Sequence, residues 1–147
     1  MNPIGASTTW KWVPYHNSYV MIDGKRMASV SGGTRWGGGM WISSYDMARF
    51  GYLWLRRGKW GDRQIVPASY VKLATTPSAH GPDYGFLWWL NTKQQQYPQM
   101  PATAFAAVGN GGNIVFIDPP HDLVIVWRWH ASGPAQFFKM VADSITS

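Results

Sequence analysis

Apolar and polar positions along the chain separate into stretches of clearly different period. From Phe105 to His130 β-branched and aromatic residues dominate. Phe-Ala-Ala-Val comes first, then a break at Gly109-Asn110-Gly111-Gly112-Asn113, then Ile-Val-Phe-Ile. Asp118-Pro119-Pro120-His121-Asp122 follows, and Leu-Val-Ile-Val-Trp-Arg-Trp-His closes the run. This order predicts a strand, a glycine-rich crossing, a strand, a tight turn and a last strand over 123–130, the final pair being an antiparallel hairpin. Glycines at the crossing let another group approach the backbone, so the segment is a candidate wall for an active site. Ser43 or Ser44 is an N-cap signal with Asp46 in the first turn, and the helix it starts ends at Arg56-Arg57-Gly58. Pro67 opens a second short helix through Val71 and Leu73, ended by Thr75-Thr76-Pro77. Gly133-Pro134 begins a last helix whose apolar face carries Phe137, Phe138, Met140, Val141 and Ile145.

Weaker signals fill the rest. Asp23-Gly24 between 19–22 and 26–30 predicts a type I′ hairpin. The clusters Ser31-Gly32-Gly33 and Gly37-Gly38-Gly39 mark a tightly bent loop. Residues 84–90 read as a strand, 59–64 as a turn and 93–101 as a polar, Gln-rich loop. Residues 1–17 read as loop, with Trp10 and Trp12 as packing anchors. Helices in the middle, an antiparallel sheet near the end and a terminal helix packed on it make the fold class α+β.

Composition sharpens this picture. The chain of 147 residues is one domain or a large piece of one. Its 46% apolar and 14% charged residues argue against disorder and suggest a chain that expects more burial than its length provides. Ten tryptophans are expected mostly in the core. The alternative for Trp36, Trp41, Trp88 and Trp89 is a ligand-stacking surface. The net charge of +6 is scattered, with Lys25-Arg26 and Arg56-Arg57 the dense groups, so no nucleic-acid partner is predicted. Cysteine is absent, which leaves the compartment unread. No run of about 18 apolar residues occurs, so no helical membrane span is predicted. Residues 1–5 lack the features of a signal peptide and read as the interior of a longer sequence.

Candidate chemistry is sparse. Ser69-Tyr70-Val71-Lys72 spells Ser-x-x-Lys, but on a short helix that reads as solvated surface. Tyr15-His16-Asn17 spells Tyr-x-Asn in an ordinary loop. His16, His80, His121 and His130 lack metal-ligand spacing, so neither metal nor cofactor is predicted. His121 reads as a turn residue and His130 as an exposed or satisfied strand-end histidine. No Gly-x-Ser-x-Gly elbow occurs, and the glycine-rich segment leads into a strand, unlike a nucleotide cradle.

An ordered set of short motifs covers nearly the whole chain. These are Pro3-Ile4-Gly5, Gly37-Gly38-Gly39-Met40-Trp41-Ile42-Ser43, Asp46-Met47-Ala48-Arg49-Phe50-Gly51, Gly58-Lys59-Trp60, Gln64-Ile65 and Thr75-Thr76-Pro77. Tyr84-Gly85-Phe86-Leu87-Trp88-Trp89, Gly109-Asn110-Gly111-Gly112 and Asp118-Pro119 with Asp122-Leu123-Val124 complete it. In this order they resemble the C-terminal part of the serine β-lactamase and penicillin-binding-protein-like family, which includes class C β-lactamases, esterases and 6-aminohexanoate-dimer hydrolases. The resemblance implies a partial β-lactamase/transpeptidase-like fold, with residues 1–147 the C-terminal portion of such a domain. It implies amide or ester hydrolysis through an acyl-serine, the nucleophile and base coming from a Ser-x-x-Lys pair and proton transfer from a Tyr-x-Asn element. Both motifs precede the Pro-Ile-Gly segment in the family, so neither is expected here and the chain alone is expected to be inactive. The third family motif maps onto Asn110, Gly111 and Gly112, with Asn113 contributing a backbone N–H to the oxyanion hole. Asn110 stands where a cation is frequent. Trp36, Gly37 and Gly38 map near the pocket mouth.

The resemblance also implies a missing neighbour. In the whole fold two further strands lie beside the last strand, so 123–130 is expected to keep one partner and lose another. Self-association, or pairing with a complementary N-terminal chain along that edge, is the expected remedy. Alternatives are a non-catalytic module that binds a ligand or partner, and a subunit completed by a separate polypeptide.

Overall fold

A computed structural model describes residues 1–28, 39–130 and 132–146. After a 3₁₀ turn at Asn2–Ile4 come β1 (Lys11–Val13), β2 (Tyr19–Ile22), β3 (Lys25–Ala28), β4 (Gly39–Trp41), α1 (Ser44–Leu55), β5 (Lys59–Trp60) and β6 (Arg63–Gln64). Then follow α2 (Ala68–Ala74), β7 (Trp89–Leu90), β8 (Phe105–Gly109), β9 (Asn113–Asp118), β10 (Leu123–Trp127) and α3 (Pro134–Thr146). The main sheet is antiparallel with the order β10-β9-β8-β7, and β1–β4, β2–β3 and β5–β6 form separate two-stranded ribbons.

Side chains on β9 alternate between two cores. Ile114 and Phe116 pack with Phe138 and Ala142 of α3, and Val115 and Ile117 pack with Trp54 of α1. A strand covered on both faces has no solvated side, which is why Ile114-Val115-Phe116-Ile117 reads as a continuous apolar run. The α3-side core contains a ring cluster, with Phe116–Phe138 centroids 4.5 Å apart and Tyr97–Phe116 centroids 5.0 Å apart. Burial pushes the Tyr97 phenol up to about 12.

Local signals explain the helix ends. Ser43 Oγ accepts from the Asp46 N–H at 3.1 Å, as an N-cap should. At the other end Gly58 N–H donates to Leu53 C=O at 2.8 Å and Arg57 N–H to Trp54 C=O at 3.0 Å. That is a Schellman closure, with Arg57 itself in the left-handed region at φ 54°. The hairpin at Asp23-Gly24 forms with both residues at positive φ, although β3 begins at Lys25.

Several expectations are corrected. Residues 84–90 are not one strand: Gly85 N–H donates to Trp88 C=O at 2.9 Å, Leu87 sits at φ 62°, and only Trp89–Leu90 pairs with β8. A Cβ at Gly85 would lie 2.1 Å from the Ala74 carbonyl, so the chain folds here as a tight turn against the end of α2. The glycine-rich crossing is a hairpin turn, because Gly109 and Asn113 are paired. The 93–101 loop is partly core, since Tyr97 and Met100 are buried. Buried Asn91 shapes that loop by donating to the Tyr97, Met100 and Pro101 carbonyls and accepting from Tyr97 N–H. Residues 11–13 are strand β1 rather than loop, and β5 and β6 form a short ribbon within 59–64. Among the described tryptophans only Trp54 and Trp88 are buried, because the others stand on two-stranded ribbons, the sheet's rim and its ends. The end of the 26–30 strand and the clusters at 31–33 and 37–38 lie outside the described residues.

Helix α1 crosses the sheet at Gly51. A Cβ there would meet Val124 Cγ1 at 2.6 Å and Val115 Cγ1 at 2.8 Å. Gly51→Ala therefore tests packing against propensity, since alanine is the better helix former. The expected outcome is a loss of about 1–3 kcal/mol from overpacking, measured by urea unfolding.

Candidate functional site

Two asparagines fold the β8–β9 turn. Asn110 Oδ1 accepts from Gly111 N–H at 2.9 Å, and Asn113 Nδ2 donates to the Asn110 carbonyl at 2.9 Å. Gly111 and Gly112 follow at φ 78° and 73°, a pair of left-handed residues that side chains would strain. Gly112 is also close-packed: a Cβ would lie 2.5 Å from the His130 carbonyl oxygen. The structure thus brings Asn110, Gly111, Gly112 and Asn113 together at one end of the sheet. Trp36, Gly37 and Gly38 lie outside the described residues.

The segment after β10 braces this turn. Arg128 Nε donates to Asn113 Oδ1 at 3.2 Å and Arg128 Nη1 to the Ile42 carbonyl at 2.7 Å. Trp127 Nε1 donates to the His130 carbonyl at 2.6 Å, holding that peptide against Gly112. Trp129 takes φ 62° with its indole 75% exposed, and the Arg128 guanidinium lies 4.3 Å from the ring centre. A bulky residue in the left-handed region costs about 1–2 kcal/mol, offset here by the anchoring of its neighbours, Arg128 on Asn113 and the His130 carbonyl on Trp127. Arg128 was missed in the sequence because its distance from residue 113 hides their meeting across adjacent strands.

No activated nucleophile stands at the turn among the described residues. His130 Nδ1 is 2.8 Å from the Ser132 carbonyl and 3.4 Å from Ser132 Oγ. A ring nitrogen donating to that carbonyl has no lone pair for the hydroxyl, so the pair is no Ser–His dyad. Ser69 is exposed on α2, whose buried residues pack with Phe105 at the opposite end of β8. His121 is more than a turn residue, since Nδ1 lies 2.6 Å from Oδ2 of the fully buried Asp118. Of the stacking alternative's tryptophans, Trp36 lies outside the described residues, while Trp88 is core, Trp41 is exposed on β4 beside Lys11, and Trp89 stands by Tyr84. No group of three or more potential ligands for a metal occurs among the described residues.

The profile of the Beta-lactamase family matches residues 7–147. The chain belongs to the β-lactamase family. An uncharacterised protein of Alkalihalophilus pseudofirmus is 32% identical over 114 residues, which is 71% of this chain and 34% of that protein. The β-lactamase-family chain thus spans about a third of the curated relative it matches. A Bacillus anthracis protein provisionally assigned as a 6-aminohexanoate-dimer hydrolase is similar with a TM-score of 0.51 and 27% identity, covering 75% of this chain and 29% of that one. A Mycobacterium bovis β-lactamase gives a TM-score of 0.55 at 19% identity, over 74% of this chain and 45% of its own. A provisionally assigned Bacteroides dorei β-lactamase gives 0.57 at 15% identity, over 99% and 47%. These last two speak to fold alone. The expected partial β-lactamase-like fold, with an antiparallel sheet, a helical middle region and a C-terminal helix on the sheet, is what this chain has.

Asp46, within a matched family segment, anchors the N-terminal loop to α1. Its buried carboxylate accepts from Ser7 Oγ at 2.6 Å, Ser7 N–H at 3.0 Å and Arg49 Nη1 at 3.2 Å. The Ser7 hydroxyl, then the Ser7 N–H, and to a smaller degree Ser43 and Arg49 hold it below the ordinary aspartate range, against the opposing effect of burial. A depressed folded-state value contributes stability above the unfolded aspartate pKa of about 3.9, lost as pH falls through the lower folded value. Urea unfolding from about pH 5 down to pH 2 should show Asp46→Asn losing stability at the upper end, with the gap to wild type closing toward acid. A gap independent of pH would show that the carboxylate charge is irrelevant. At the turn, Gly112→Ala should cost about 1–3 kcal/mol, from both its φ and the His130 peptide, read by urea unfolding.

Proposed function

We propose that this chain forms the C-terminal portion of a β-lactamase-like domain and supplies the rear wall of a serine acyl-transfer cleft. The attacking hydroxyl comes from polypeptide outside these 147 residues, and the substrate is a small amide or ester. The observation that carries this reading is the Gly109–Asn113 turn. It stands exposed at the sheet's end, braced by Arg128, with no hydroxyl–base pair beside it among the described residues. Backbone and amide donors fixed by a rigid hairpin are what a developing oxyanion requires. By the family resemblance Asn110 stands where a cation is frequent, and Arg128, bonded to neighbouring Asn113, offers a guanidinium for a substrate carboxylate.

A specific observation favours completion by another chain. β10 is the outer strand of the sheet, pairing only with β9 among the described residues. An apolar cavity of about 470 Å³, lined by Trp10, Trp12, Met40, Ile42, Met47 and Phe50 among others, opens beside α1. An outer edge and an open apolar cavity among the described residues both favour a partner, either a second copy or a complementary N-terminal chain.

The chain alone should give no turnover of nitrocefin or nitrophenyl esters above that of Ser69→Ala. A separately produced polypeptide carrying the family's Ser-x-x-Lys and Tyr-x-Asn segments should restore activity, and Asn110→Ala or Arg128→Gln should lower it by about tenfold or more. Turnover by the chain alone that vanishes in Ser69→Ala would overturn the assignment. Sedimentation of the isolated chain should show self-association, and a monomer throughout would remove the edge-pairing proposal.

A further inference from the structure

A second cavity, of about 400 Å³, opens at the other end of the sheet. Its apolar walls include Trp54, Leu55, Val71, Leu90, Phe105 and Pro119. Phe105 and Gly109 close opposite ends of β8, so about 13 Å of strand separates this cavity from the glycine-rich turn. It belongs neither to the proposed acyl-transfer wall nor to the cavity beside α1.

Its charge is one-sided. Arg57 and Lys72 line it, and no acidic residue does. Both cations are exposed, and neither has an ion-pair partner among the described residues. The backbone fixes where they emerge. Arg57 is held in the left-handed region by the Schellman closure of α1, and its carbonyl accepts from Gln64 Nε2 at 2.9 Å. Lys72 lies in the last turn of α2, one residue beyond Val71 of the cavity wall. The wall also contains a frustrated donor: the indole N–H of Trp54 is buried without an acceptor among the described residues. The hydroxyls of Thr75 and Thr92, also in the lining, already donate to the Val71 and Pro82 carbonyls. The charged and unspent polar capacity of the cavity is therefore donor-rich.

We infer that this cavity binds a small carboxylate with a compact apolar body, such as an arylalkanoate. The apolar part fills the space between Trp54, Leu90 and Phe105, and the carboxylate meets Arg57 and Lys72. A volume of this size suits small ligands, and a few placed polar groups in an apolar lining are the usual means of orienting them. Guanidinium and ammonium groups favour the carboxylate over a neutral isostere through charge-assisted hydrogen bonds.

The probe is 4-phenylbutyrate, with 4-phenylbutan-1-ol as the neutral control, titrated calorimetrically and by tryptophan fluorescence into the full chain. Phenylbutyrate should bind, the alcohol about tenfold or more weakly, and added sodium chloride should weaken only the carboxylate. Arg57→Gln with Lys72→Gln should lower carboxylate affinity by about tenfold or more and leave the alcohol unchanged. Thr103→Trp, which narrows the cavity, should weaken both probes. The salt titration requires no variant and reads the charge contribution even where a variant fails to fold. Equal binding of the two probes, an affinity insensitive to salt, or no binding of phenylbutyrate would each overturn the inference. None of these outcomes bears on acyl transfer at the other end of the sheet.

Discussion

Burial of β9 on both faces is the constraint that orders everything else. Ile114 and Phe116 meet α3 while Val115 and Ile117 meet α1, so the strand can neither slip by one residue nor shift without exposing one core to water. A slip would exchange the two sets of side chains. Register is therefore fixed from Gly109↔Asn113 at one end to Phe105↔Ile117 at the other. Whatever is attached to the ends of β9 inherits that rigidity. Asn113 is its first residue and a structural member of the glycine-rich turn. Asp118 is its last, and its carboxylate holds His121 within the following turn. Helix α1 is tied to the same turn by Arg56 Nη2, which donates to Asp122 Oδ2 at 2.8 Å.

Elsewhere the chain leaves apolar side chains exposed. Met140 of α3 and Trp129 after β10 are more than 60% exposed, and Phe137 and Ile145 extend the apolar surface of α3. A chain with 46% apolar residues and a four-stranded main sheet has more hydrophobic side chains than its own layers cover. Among the described residues exposed apolar side chains stand on the ribbons, α1, α2, the Phe86-Leu87 turn and α3, and none stands on β9.

What the sequence disclosed depended on whether a signal was local. The Ser43 cap, the Gly58 stop, the Asp23-Gly24 turn and the β9–β10 hairpin are each written within a few residues, and all appear in the structure. The pairing of β1 with β4 is invisible locally, since Lys11 meets Trp41 across a segment of mixed composition. Residues 84–90 have the composition of a strand, but the fit of Gly85 against the end of α2 overrides propensity. The tryptophans misled because most of the described ones stand on short ribbons and at the sheet's rim, where size and hydrophobicity alone do not secure burial. At the candidate site the four turn residues were legible from glycine content and motif order. Arg128 was not, because its contact with Asn113 depends on strand register. The family resemblance pointed to this turn as the candidate wall, and the geometry added what braces it.

One strand end held by packing carries the proposed acyl-transfer wall, while the inferred carboxylate cavity opens at the far end of β8. Substitutions separated by more than about 7–10 Å, with no shared partners, generally act additively. The length of β8 exceeds that separation, and its Ala106 and Ala107 add little side-chain bulk through which a shift could pass. The stronger route for coupling is α1, which touches the apolar cavity through Met47 and Phe50 and the charged cavity through Trp54 and Leu55. Phe50 stacks on Trp88 at 6.0 Å, and Trp88 lies 4.5 Å from Trp54 by ring centres. The two cavities are therefore linked along α1 by this aromatic group.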